Sequence, residues 1–79
     1  MSYQNSKKIL DNIRARHGEV MFRMAISHLM DVGIRNLDKD TCTSTCKEIM
    51  AQDDSKSFMT NQFQCELIWL AHEIAQIPH

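Results

Sequence analysis

The residue types with the widest chemical reach in this chain are its three cysteines and four histidines, and spacing decides what they can do. Cys42-x-x-x-Cys46 sets two thiols one helical turn apart, close enough to share a metal ion or, in principle, to pair oxidatively. A tetrahedral metal site would also need Cys65 and one of His17, His28 or His72. The pattern lacks the tight paired spacing of structural zinc sites. Cys65 and His72 stand two helical turns apart, which is awkward for one ion. The expectation is therefore no metal and no cofactor, with the cysteines acting as small apolar residues on a helix face. His17 and His28 border an apolar stripe and His72 lies on the rear of the last helix, positions that suit neutral histidines with one hydrogen-bond partner. No flanking signature marks a Cys–His nucleophile, so no catalytic residue is assigned. Asp38/Asp40 and Asp53/Asp54 fall in turns, where aspartate caps helices. With two glycines in all, a glycine-rich phosphate loop is excluded.

The basic residues are concentrated near the N-terminus, at Lys7, Lys8, Arg14, Arg16 and Arg23. They could meet nucleic acid or an acidic surface, or form a solvated helix face, the plainer reading. A helix, a turn at Gly33 and a short helix over 41–52 superficially resemble a helix-turn-helix. The connection from Gly33 to Asp40 is too long for that motif, and Thr41–Gln52 carries one lysine and one glutamate. Such a helix has few donors for base edges and little attraction for phosphate. Nine lysines and arginines against ten acids give a net charge of −1, which supplies no strong steering field.

The elements that must position these side chains are all helical. Val20–Met30 (V-M-F-R-M-A-I-S-H-L-M) is apolar on most of a helix circumference, leaving Arg23 and Ser27 for water, and reads as the central helix. Val20, Met24 and His28 continue a stripe begun by Ile9, Ile13 and His17, while Phe22, Ile26 and Met30 form a second strip. That continuity predicts one long helix over about 5–32, capped by Asn5 or Ser6, with a break at 17–18 as the alternative because Gly18 interrupts it. Gly33 suits a helix terminus, and Ile34–Asp40 reads as a connection anchored by Leu37. Asp40 or Thr41 would cap a short helix over Cys42–Gln52 with Cys42, Cys46, Ile49 and Met50 inward. Asp53-Asp54-Ser55 reads as a turn. The last helix should run from Ser55 or Ser57 to Ile77, ended by Pro78. Its main stripe is Phe63, Leu67, Leu70, Ile74 and Ile77, with Phe58, Cys65 and Trp69 on the opposite side.

This describes a single all-α domain over 1–79, a small bundle of three to four helices with a long N-terminal, a short middle and a long C-terminal helix. Met24, Leu29, Leu67, Leu70 and Ile74 are expected in one core. At 43% hydrophobic and 24% charged residues, the composition fits a folded globular protein. No segment reaches the length of a membrane span or a signal peptide, and the odd cysteine count does not suit a secreted disulfide framework. A cytoplasmic location is the simplest expectation.

Six methionines and two helices with apolar residues on two faces leave more apolar surface than 79 residues easily bury. Phe22, Ile26, Met30 and Trp69 are the candidate partner-binding residues. The leading reading is a small non-catalytic protein-binding module, an adaptor, inhibitor or regulator of the kind common on mobile elements, working through an apolar helical face and pairing as a homodimer. The expected partner is another protein and not a membrane, with nucleic acid less favoured. Second comes a nucleic-acid-binding regulator using the basic N-terminal face, and third an enzyme with a Cys/His site.

Overall fold

A computed structural model of the chain describes residues 3–51 and 58–77. Four α-helices follow in order: α1 Tyr3–His17, α2 Glu19–Val32, α3 Lys39–Met50 and α4 Phe58–Ala75, with one 3-10 turn at Ile34–Asn36. There is no strand among the described residues. The molecule is an all-α helical bundle. The expected turn at 53–55, the Phe58 side chain and Pro78 lie outside the described residues, and the middle helix ends at Met50 with Ala51 as its C-cap, short of the expected Gln52.

The chain breaks at Gly18 instead of running on as one long helix. Gly18 sits at φ 89, ψ 155, a conformation that side chains with a Cβ essentially never adopt. It ends α1, donating its N–H to the Arg14 carbonyl at 2.8 Å, and opens α2, accepting from the Phe22 N–H at 3.1 Å. The break resets the helical phase. Ile13 and Phe22 are both buried, although in an uninterrupted helix residues nine apart would point about 180° away from each other. α2 consequently buries Phe22 and Ala25, with Met21, Ile26, Leu29 and Val32 packed against the core. The stripe expected from continuity is turned outward: Val20 is 73% exposed and Met24 41%. Met24 is thus not a core residue.

Gly33 repeats the device at φ 82, ψ 154, its N–H bonded to the Leu29 carbonyl at 2.8 Å. Leu37 follows the 3-10 turn and is buried, as its role as anchor requires. The cap of α3 is Asp38, ahead of the two residues expected. Its carboxylate accepts from the Thr41 N–H at 3.1 Å and from the Thr41 hydroxyl at 2.6 Å, which satisfies a backbone donor that the helix leaves orphaned. At the other end of the chain, α1 is already helical at Tyr3, so Asn5 and Ser6 lie inside it.

α4 is packed between α2 and α3, while α1 leans mainly on α2. The centre of the fold is the α2–α4 pair, not α2 alone. α4 contributes Ile68, Leu70, Ala71 and Ile74 to the core, followed by Ile77; Ile13, Leu37 and Cys42 fill it from the other elements. Leu29 and Leu67 are half-buried against it, and Phe63 is at the surface. The molecule measures 45 × 24 × 16 Å. Each of the four helices keeps exposed residues along its described length.

Candidate partner-binding site

A concavity of about 630 Å³ lies between α3 and α4. α4 supplies Gln62, Cys65, Glu66, Trp69, Leu70 and Glu73, which recur at three- and four-residue intervals and so share one helix face. α3 supplies Cys46 and Met50, one turn apart, and His17 closes the end nearest α1. A smaller hollow of about 260 Å³ shares Cys46, Met50 and Trp69 with it, so the indole stands between the two.

Trp69 is 37% exposed yet its ring is held. The His72 ring meets it edge-on, centroids 5.4 Å apart. His72 Nδ1–H in turn donates to the Leu37 carbonyl, which fixes the imidazole tautomer and ties α4 to the entry of α3. Arg16 Nη2 meets Glu73 Oε1 at 2.7 Å across the rim, linking α1 to α4. Trp69 thus stands half-exposed, its ring against His72, in the same cleft as the flexible thioether of Met50.

The other expected contact residues are divided by the fold. Phe22 is buried at 5% exposure, with the Arg14 guanidinium 5.0 Å from its ring centre, and Ile26 packs half-buried against the core. Both were expected on a free strip because the helix was read as continuous; the phase reset at Gly18 turns them inward. Met30 remains 76% exposed. Met50, expected inward with Cys42, Cys46 and Ile49, is exposed and lines the cleft instead. The spacing of Cys46 and Met50 was visible, but which helix they would oppose was not.

The cysteines are all free. Burial, and then the Asp38 carboxylate, raise the Cys42 thiol. Burial and the adjoining Cys65 push the Cys46 thiol up to about 11, against a smaller opposite pull from its hydrogen bond with Trp69. Thiols held up in this way are the reverse of activated nucleophiles. Cys42 shares a second hollow of about 370 Å³ with His28 and Asp31, but it is 1% exposed and its raised thiol does not fit nucleophilic work there. Among the described residues no cluster of three or more His, Cys, Asp or Glu has the arrangement to hold a metal ion.

The basic residues are likewise distributed. Arg14 lies over Phe22, Arg16 is paired with Glu73, and Arg23 pairs with Glu19 at 3.0 Å within α2. Lys7 and Lys8 are exposed on α1. The helix break places Arg23 on a different helix from the other four, so the five form no uninterrupted helical face. No described helix is long and apolar enough to cross a membrane. No protein-family model matches the sequence, and no curated protein or solved structure matches it significantly.

Proposed function

We propose that this chain is a small protein-binding module, without catalytic activity of its own, that pairs with a second copy through the α3–α4 cleft around Trp69. As an adaptor, inhibitor or regulator it would present the same face to another protein. The observation that carries this reading is Trp69 itself, a half-exposed indole held by His72 and flanked by Met50 at an open cleft. Aromatic residues with restricted motion lose little entropy on docking and dominate interface energetics.

The raised Cys46 thiol and the fully buried Cys42 favour a binding role over a nucleophilic enzyme. The engagement of Arg14, Arg16 and Arg23 within the molecule counts against the nucleic-acid reading.

Sedimentation velocity across micromolar concentrations tests the pairing. The parent should sediment as a dimer, and Trp69→Glu and Met50→Glu should each give a monomer with unchanged far-UV circular dichroism. A parent that stays monomeric and well folded at high concentration removes the self-pairing. The cleft would then have to receive a different protein.

A further inference from the structure

We propose that Cys46 and Cys65 are a reversible disulfide site, closed by a low-molecular-weight disulfide of the oxidised-glutathione class, that clasps α3 to α4. Their spacing in the sequence does not advertise this pair. The obvious candidates, Cys42 and Cys46, lie at i and i+4 on one helix, where Cβ atoms stand about 5–6 Å apart. A disulfide needs about 3.5–4.5 Å. Cys42 is also 1% exposed, out of reach of an oxidant in solution.

Cys46 and Cys65 instead face each other across the α3–α4 gap. Cys46 Sγ lies 4.0 Å from the Cys65 carbonyl oxygen, and Cys65 Sγ lies 3.8 Å from the Cys46 carbonyl oxygen. This reciprocal arrangement puts each thiol over the other's backbone, with both side chains in the same interhelical space. Both are partly exposed and both line the open cleft, which gives a small oxidant access.

The chemistry closes without any further reagent. The Cys65 thiolate attacks one sulfur of oxidised glutathione, forming a mixed disulfide and expelling one glutathione thiolate. The Cys46 thiolate then attacks the Cys65 sulfur, the Cys65–glutathione bond breaks, and a second glutathione thiolate leaves. Two protein thiols are oxidised, one glutathione disulfide is reduced, and the two protons end on the two glutathione thiols. The raised Cys46 thiol keeps its thiolate fraction small, so this second step relies on its proximity to the Cys65 sulfur within one chain. The closed form joins residues 19 apart in sequence. The inference rests on the α3–α4 contact within one chain and does not depend on a second copy.

The test incubates the reduced, purified chain with glutathione buffers of increasing oxidised fraction, then maps unreduced peptides by mass spectrometry and follows thermal melting. The expected result is a Cys46–Cys65 linkage, free Cys42, and a melting temperature raised by about 10 °C or more in both the parent and Cys42→Ser. Dithiothreitol should return both to the starting value. Cys46→Ser should keep the reduced parent's circular dichroism and show no such rise; if it does not fold, the linkage and melting shift in Cys42→Ser decide the matter. Linkages through Cys42, disulfides between chains, a persistent glutathione adduct in the parent, or a Cys46–Cys65 bond that leaves melting unchanged would each overturn the proposal.

Discussion

Replacing Gly18 by alanine probes the step on which the whole packing depends. A Cβ at position 18 meets nothing within 4 Å, so crowding contributes no cost. What remains is the backbone, held at φ 89 and ψ 155, where a residue with a side chain is strained by about 1–3 kcal/mol. Alanine also narrows the unfolded ensemble, which returns about 0.4–1 kcal/mol. The net destabilisation should be about 1–2 kcal/mol, a large share of what a 79-residue chain can muster. With a urea slope of about 1 kcal/mol per molar, the unfolding midpoint should fall by about 1–2 M. Fusing α1 and α2 into one helix offers no escape, because it would turn Ile13 away from the face that buries Phe22. D-Alanine at the same position, introduced by chemical synthesis, accepts positive φ without strain and should leave the protein at least as stable as the parent. Urea unfolding followed by circular dichroism reads all three proteins. An L-alanine variant as stable as the parent would refute the reasoning and restore the continuous helix.

Leu70→Ala should cost about 2–5 kcal/mol, whereas Met24→Ala should stay within about 0.5 kcal/mol because Met24 lies outside the core; denaturant midpoints separate them. Asp38→Ala should lower the helix content and melting temperature by removing the cap of α3, and Asp38→Asn should largely retain it. The Thr41 hydroxyl, with help from its N–H, holds the Asp38 carboxyl below its ordinary value. The unfolded state therefore binds the proton more readily, so this contribution is present above about pH 4 and is lost as pH falls through the lowered folded value. Asp38→Asn should flatten that part of the acid unfolding curve. Titrations of generic DNA and RNA at physiological salt, followed by fluorescence anisotropy, should show no binding tighter than micromolar; a salt-sensitive nanomolar complex abolished by Arg14→Glu with Arg16→Glu would contradict the protein-binding reading.

The helical class, the last helix and the burial of Leu37, Leu70 and Ile74 were legible in the sequence, because period and propensity agree over those stretches. The phase of α2 was not. The stripe from Ile9 to His28 is regular on paper, and a single glycine decides whether that regularity is realised. Helix propensity alone charges Gly18 about 1 kcal/mol, too little to force a break. Burial of Phe22 and Ala25 in the core tips the balance, and that term belongs to tertiary packing. The same limit applies at the cleft. Trp69 was legible as surplus to the main stripe of α4, but Met50 and the opposition of Cys46 to Cys65 depend on how α3 crosses α4.

That crossing joins the fold to the proposed function. α3 contributes one fully buried side chain, Cys42, and otherwise holds on through half-buried Cys46 and Ile49. Such a helix has little apolar burial to keep it in place, and its amides should exchange sooner than those of α2 and α4. A partner seated over Met50 and Trp69 would cover both α3 and α4 and add burial where the monomer has least. A Cys46–Cys65 bond would act on the same pair of helices from inside the cleft. Binding and oxidation would then be coupled through one contact, since whatever holds α3 against α4 favours the other process that requires it. The sign follows from geometry alone: if the closed disulfide leaves Met50 and Trp69 uncovered, as their position at the cleft mouth allows, oxidation should tighten pairing and pairing should favour oxidation.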